Sequence, residues 1–446
     1  MKSYDMIVIG FGKAGKTLAA KLAKQGKHVA LVEKSAEMYG GTCINVGCIP
    51  SKRLITDAQN APKGDFEAQR AYYRRTIEEK RALTAALRKA NYEKLLQAGV
   101  EVVDGIASFT DSHHIEVQSA GGCLTLSAEK FLINTGSVPV IPEITGVRES
   151  GKVFLSETIM ALSELPERLS IVGGGYIGLE FASMYADFGS RVTILQDGDL
   201  FLPREDRDIA ESIQAVLEAK GIRILRGVGI HRIEGGTLHY SIGGAEASLE
   251  SDAILLATGR RPNTEALHAE RAGVQLSLRG AVETDAHLRT TAEHIWAAGD
   301  VCGKLQFTYI SLDDSRIVLS ALLSEGGRTT ENRGAFSYSV FLTPPFSRVG
   351  LNEVEATKRG LSYRVVSMPA ASIPKAKVLR RTEGMLKALI DPEGYILGAE
   401  LFCAESHELI NMVKLAIDQR MKYTVLRDFI FTHPTMSESL NDLFAL

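Results

Sequence analysis

The sequence predicts an α/β fold built on two Rossmann-like units, with a smaller α+β domain at the C-terminal end. Two observations carry that reading: one strand–glycine turn–helix–strand pattern occurs twice, and residues 336 to 446 change character. The first copy is "YDMIVIGFGKAGKTLAAKLAKQGKHVALVEKS". Its apolar run Met6 to Ile9 leads into Gly10-Phe11-Gly12-Lys13-Ala14-Gly15, then an amphipathic stretch, then a second apolar run from His28 to Val32. The second copy, "LSIVGGGYIGLEFASMYADFGSRVTILQD", repeats the order with Leu169 to Val172, the turn Gly173 to Gly178, and Arg191 to Leu195.

The remaining segments fit around these units. Residues 53 to 95, rich in Ala, Lys, Arg and Glu, read as long helices, and 100 to 135 alternate like strands up to "FLINTGSVPVIP". A similar exit, "AILLATGRRPNT", follows the second copy, so "NTG" and "ATG" both read as places where the chain passes between domains. The segments "YSVFLTPPFSRVG" and "ALIDPEGYILGAELF", with a helical 404 to 421, make the last region α+β.

Composition narrows the function. A chain of 446 residues fits about three domains. Its formal net charge of −3 and lack of a Lys/Arg block argue against nucleic acid as a partner. "MKSYDMIVIG" does not read as a secretory signal, and no apolar stretch approaches the roughly 20 residues of a membrane helix. The expected location is the cytoplasm, where thiols are kept reduced.

Gly10, Gly12 and Gly15 fit a dinucleotide fingerprint, with phosphates expected at the helix N-terminus. Glu33, 18 residues after Gly15, stands where a carboxylate would accept from ribose hydroxyls. "GFGKAGKT" also satisfies the P-loop pattern through Lys16 and Thr17. The interior Gly12, the placement of Glu33 and a second copy without Lys-Thr argue against an NTPase. In that second copy the matching position is Gln196, a neutral amide that would not repel a 2′-phosphate, so NADPH and NADH both remain open.

Five cysteines (Cys43, Cys48, Cys123, Cys302, Cys403) include one close pair, in "GGTCINVGCIPSK". A structural disulfide, half of a metal site, two buried passive thiols and a catalytic pair are the alternatives. The reducing compartment argues against the first, and the lack of a second Cys/His cluster against a metal site, so none is expected. Two dinucleotide units beside a dithiol suggest electrons passing from nicotinamide to flavin to disulfide. Lys52, at i+4 from Cys48, lies on the same helix side.

"GGTCINVGCIPSK", both glycine turns, "ATGRRPNT", "IWAAGDV" and "THPTMSE" together resemble the flavin-dependent disulfide oxidoreductases, which include glutathione reductase, lipoamide dehydrogenase and mercuric reductase. The resemblance spans essentially the whole chain. It implies FAD bound by residues 1–146 and 264–333, NADPH or NADH bound by 147–263, and a dimerisation domain at 334–446, making a homodimer. Carried over residue by residue, Cys48 is the flavin-proximal thiol and Cys43 the thiol that meets substrate. Lys52 and Glu180 are an ion pair beside the flavin's reactive nitrogen, Tyr176 covers the flavin until nicotinamide displaces it, and Asp300 binds the ribityl chain. His433 and Glu438 are an acid–base dyad given by the partner subunit. Further flavin contacts fall on Gly41, Thr42, Thr135 and Gly136, and further nicotinamide contacts on Gly173, Gly175, Gly178 and Gly259.

Within that family, "GFGKAGKTLA", "MYGGTCIN", "LFLPREDRDIA", "LQFTYISLDD" and "FTHPTMSESLNDLF" look most like the bacterial reactive-chlorine-resistance flavoproteins. This group includes hypothiocyanous acid reductases, and copper(II) reduction is attributed to it. Mercuric reductases carry another cysteine pair near the C-terminus, whereas this chain ends "NDLFAL". The expected activity is reduction of a small oxidant, most directly hypothiocyanous acid, through Cys43 and Cys48. Lipoamide dehydrogenase is the alternative.

Overall fold

The computed structural model describes residues 2–323 and 327–446. Residues 324–326, inside the segment 264–333 discussed above, lie outside the described residues. The first unit is a sheet in which strand Lys2–Ile9 pairs in parallel with Val29–Glu33 on one side and Gly122–Ile133 on the other. Glu101–Asp104 extends one edge, and Ile295–Ala297 returns late in the chain to pair with Gly122–Ile133. Val29–Glu33 is buried at every position because a parallel strand is covered on both faces. Helix Lys13–Lys24 covers it with Ala14, Leu18, Ala19 and Leu22.

The second unit repeats this order. Parallel strands Arg223–Leu225, Arg191–Leu195, Arg168–Val172, Ala253–Leu256 and Val153–Leu155 lie side by side, with helix Tyr176–Phe188 following the glycine turn. The C-terminal part is a five-stranded antiparallel sheet backed by helix Ser406–Asp418. No helix among the described residues is long and apolar enough to cross a membrane.

The long helices read over 53–95 are Cys48–Gln59 and Phe66–Gln97, broken at Pro62-Lys63-Gly64. Asp65 starts the second by accepting from the Glu67 and Ala68 amides, as an N-cap residue does. The helix read over 404 to 421 is shorter, Ser406–Asp418. An additional antiparallel sheet, Val228–Glu234, Thr237–Ile242 and Ala245–Glu250, stands before the last strand of the second unit. Its Gly235-Gly236 and Gly243-Gly244 turns are the hairpin signal that betrays it in sequence.

The "NTG" and "ATG" exits lie side by side. Ser137–Pro139 and Arg260–Pro262 pair antiparallel into a short ribbon. The Arg260 guanidinium donates to Ser137 and pairs with Glu157, stiffening this double crossing.

Asn134 fixes the first glycine turn. Its Oδ1 accepts from the Gly15 amide at 2.8 Å, and its Nδ2 donates to the Ala298 carbonyl at 2.6 Å. A Cβ on Gly12 would come within 2.4 Å of that Oδ1. Gly12 is therefore required chiefly by the protein behind the turn, not only by a ligand in front of it. Asn134→Ala should leave a buried N–H and C=O without partners and cost about 2 kcal/mol. A chemical denaturation midpoint equal to that of the unaltered protein would contradict this account.

Candidate active site

A continuous cleft of about 2810 Å³ joins the two glycine turns. Its walls include Gly10, Gly12, Glu33, Gly41, Thr42, Thr135, Gly136 and Asp300 on the first side. On the second they include Gly173, Gly175, Tyr176, Gln196 and Gly259, while Cys43, Cys48, Lys52 and Glu180 lie between. The structure thus brings together every site residue the sequence singled out except Gly15, Gly178, His433 and Glu438. Gly15 and Gly178 sit one helical turn in, where each helix packs on its own strand: a Cβ on either would strike the carbonyl of Gly10 or of Gly173.

The pair at the centre is held at helix ends. Cys43 belongs to the short helix Thr42–Asn45, and Cys48 is the first residue of Cys48–Gln59. The Sγ of Cys48 lies 3.5 Å from the hydroxyl of Thr308, itself the first residue of helix Thr308–Leu322. Free N–H groups and the dipole at such ends favour a thiolate. The Cys48 thiol is pulled down to about 6, first because the Cys43 thiol donates a hydrogen bond to it, then by Thr308 and the Lys52 ammonium. Cys43 is pushed up as the donor of that bond, with burial adding to the effect. One proton shared unequally leaves Cys48 the thiolate.

Lys52 turns from the thiols to Glu180 at 2.7 Å and packs its Nζ 4.7 Å above the Phe341 ring. The other Glu180 oxygen accepts from the Phe341 amide at 2.8 Å, tying the C-terminal part to the ion pair. Glu33 accepts from the Phe11 amide, and burial pushes its carboxyl up. Asp300 is also pushed up by burial and accepts from Ser137. Gln196 spends its Nε2 on the carbonyls of Gly198 and Leu200. Tyr176 donates its hydroxyl to Glu205.

His433 Nδ1 lies 2.8 Å from Glu438, forming an exposed pair outside the cleft that holds Cys43. Lys16 and Thr17 are committed elsewhere: Lys16 donates to the Gly40 carbonyl and Asn91, and Thr17 to the Lys13 carbonyl. Cys302 and Cys403 are buried with thiols pushed up by burial, and Cys123 is exposed on a strand far in sequence from the pair. Among the described residues, no group of three or more His, Cys, Asp or Glu is placed to hold a metal.

Sequence reasoning missed Asn134, Thr308 and Glu205. Thr308 has a weak signal as a Thr opening an apolar helix, whereas Asn134 and Glu205 have none.

The residues present fit a dinucleotide at the first turn. The Thr135 hydroxyl is buried there without a hydrogen-bond partner, and Gly10 and Gly12 line the cleft without side chains to fill it.

The chain belongs to the pyridine nucleotide-disulphide oxidoreductase family, whose model matches residues 4–315, with that family's dimerisation-domain model matching 336–444. It is an oxidoreductase with FAD and NAD(P)H as cofactors. It is 49% identical to a probable pyridine nucleotide-disulfide oxidoreductase, RclA, of Escherichia coli (strain K12), covering 100% of both chains. It is 32% identical to a dihydrolipoyl dehydrogenase of Bacillus subtilis, over 97% of this chain and 94% of that one. A mercuric reductase of Staphylococcus aureus is 31% identical over 98% of this chain and 81% of its own length. The fold matches a Cu(II) complex of the HOCl-induced flavoprotein disulfide reductase RclA from Escherichia coli with a TM-score of 0.95 and 48% identity, covering 100% of this chain and 99% of the other.

The depressed Cys48 pKa gives a pH prediction. In the reduced protein, alkylation by iodoacetamide should be flat at neutral pH and fall as pH drops through about 6, where the thiolate takes up its proton. Thr308→Val should move the inflection upward. An inflection near the ordinary thiol value of about 8.5 would remove the shared-proton account.

Proposed function

We propose that the protein reduces a small oxidant through Cys43 and Cys48, with hypothiocyanous acid the substrate that best suits the pair. The observation that carries this is the unequal thiol pair in the cleft joining both glycine turns. The Cys43 sulfur, giving up its proton, attacks the sulfur of HOSCN and hydroxide leaves, protonated to water. Cys48 thiolate then attacks the Cys43 sulfur, thiocyanate departs, and the disulfide closes. The Cys43 thiol, the Cys48 thiolate and HOSCN thus give a disulfide, water and thiocyanate. With FAD bound, its chemistry is the passage of an electron pair from NAD(P)H to that disulfide.

The remaining site residues take matching roles. Lys52 and Glu180 keep a charge beside the flavin's reactive end, Asp300 and Glu33 hold its ribityl and ribose hydroxyls, and Tyr176 covers the nicotinamide side. Residues 1–146 with 264–333 bind FAD, 147–263 bind NAD(P)H, and 334–446 pair two chains as a homodimer. The exposed His433–Glu438 pair reaches the partner's Cys43 and moves the protons of the thiol steps. A cytoplasmic location suits a dithiol that must stay reduced between turnovers.

Copper(II) reduction is a second reading, favoured by the similarity to a Cu(II) complex of RclA. Lipoamide dehydrogenase activity remains the alternative within the family.

The deciding experiment compares NAD(P)H oxidation driven by HOSCN, by copper(II), and the reverse reaction with dihydrolipoamide and NAD⁺. HOSCN should be turned over fastest, and Cys43→Ser or Cys48→Ser should each lose several orders of magnitude in kcat. Near wild-type HOSCN turnover by Cys43→Ser would replace the dithiol mechanism with direct reduction by the flavin.

The shared site gives a separate check. A heterodimer of one Cys43→Ser chain and one His433→Ala chain keeps one intact site and should show about half the wild-type rate. An inactive heterodimer would place the dyad's work within one chain.

A further inference from the structure

Tyr176 opens helix Tyr176–Phe188 at the mouth of the second turn, and its hydroxyl is pinned from behind. It donates to Oε1 of Glu205, a carboxylate only 1% exposed. The same oxygen accepts from the Tyr338 hydroxyl at 2.6 Å, and the two tyrosine rings stack with centroids 5.4 Å apart. The second oxygen, Oε2, lies 3.4 Å from Arg348, which also pairs with Glu355 and donates to the Arg204 carbonyl. Tyr338 and Arg348 stand on the strands Ser337–Val340 and Phe346–Gly350 of the C-terminal sheet.

We propose that Glu205 is a latch on Tyr176, holding that ring across the nicotinamide side of the cleft, and that Tyr338 makes the latch reversible. This rests on the reading of Tyr176 as the residue that covers the flavin. A buried carboxylate oxygen stripped of all its donors costs far more than one that keeps a partner. When Tyr176 swings out it leaves Glu205 and the Tyr338 hydroxyl 3.1 Å away, but Tyr338 remains on the same carboxylate oxygen, so opening exposes no bare charge. The apparent affinity for nicotinamide is then the intrinsic affinity scaled by the open fraction. Glu205 is a positioning residue: it acts through Tyr176 and touches no reacting atom.

The two tyrosines consequently act in opposite directions. Tyr176→Phe removes the latched hydroxyl and favours the open ring. Tyr338→Phe removes the second donor, so opening would strand the oxygen and the closed ring is favoured. A role in packing alone would shift both variants the same way, because each loses one hydroxyl from one cluster.

The test titrates the FAD-loaded protein with NAD⁺ and with NADP⁺, neither of which reduces the flavin, and follows flavin fluorescence. Tyr176→Phe should lower Kd by about tenfold, and Tyr338→Phe should raise it severalfold. Glu205→Gln should follow Tyr176→Phe, since an amide oxygen is the weaker acceptor. If Glu205→Gln fails to fold, the tyrosine pair still decides. In Tyr338→Phe and Glu205→Gln, KM for NAD(P)H should track Kd, while kcat at saturating nucleotide should not. Shifts of the same sign in both tyrosine variants, or an unchanged Kd in Tyr176→Phe, would overturn the latch. Tyr176→Ala separates the underlying reading: if it too leaves Kd and flavin fluorescence unchanged, Tyr176 is not the cover at all.

Discussion

The constraint on which this site depends is the unequal pull on two neighbouring thiols, which draws Cys48 down and pushes Cys43 up. Two equivalent thiols near neutral pH would both be mostly protonated, and neither would be a good nucleophile. Unequal sharing of one proton leaves Cys48 a thiolate, the form in which it can attack a neighbouring sulfur, while Cys43 must give up its proton before it attacks. The cost is that Cys48 needs compensating charge, and the fold supplies it from several elements: its own helix N-terminus, Thr308 at another, and Lys52 one turn along. The Gly41 and Gly47 breaks that create two separate helix starts are therefore part of the chemistry, not only of the chain path.

The Lys52 charge must itself be held, and this fastens the site to the rest of the molecule. Left alone, that ammonium would move toward solvent. Glu180, from the second unit, pairs with it, and the Phe341 amide, from the C-terminal part, fixes the other Glu180 oxygen. A single charge beside the thiols is thus positioned by three separate stretches of chain. Buried ion pairs of this kind contribute little net stability, because desolvation offsets attraction. Their contribution here is geometric: the groups around the thiols are held in one arrangement.

What could be read in the sequence follows from how local each signal is. The turns, Glu33 and the spacing of Lys52 from Cys48 are fixed by helix and strand geometry over a few residues, so they were legible. The His433–Glu438 pair was named only through the family resemblance of its motif, and the structure places its two side chains in contact. Asn134 was not legible, because its two partners lie 119 and 164 positions away and an Asn between strand and turn has many ordinary explanations. Thr308 meets Cys48 across 260 positions. Glu205 carries no local signal: it stands in the charge-rich "PREDRD", yet Glu205 and Asp206 are both buried. Periodicity says which face of a helix is apolar, and it says nothing about a carboxylate buried because two tyrosines and an arginine have enclosed it.

That buried run has a further logic. Beneath Glu205, Lys387 is enclosed by Asp206, Asp208 and Glu353, while Arg348 serves Glu205 and Glu355. Five carboxylates against two cations would leave the junction between the second unit and the C-terminal sheet strongly acidic. A sixth, Glu400, is fully buried beside them, and burial together with Asp206 pushes it up to about 10. With both its oxygens buried and without a hydrogen-bond partner, this carboxyl is driven toward its neutral form, which spares the cluster one more negative charge. Partial exposure of Asp208, Glu353 and Glu355 lets water carry much of the remainder. The same two cations thus hold the junction together, and Arg348 sets its guanidinium beside the carboxylate that accepts from Tyr176. The Tyr176 hydroxyl and the junction between the second unit and the C-terminal sheet thus meet in one cluster of charged groups.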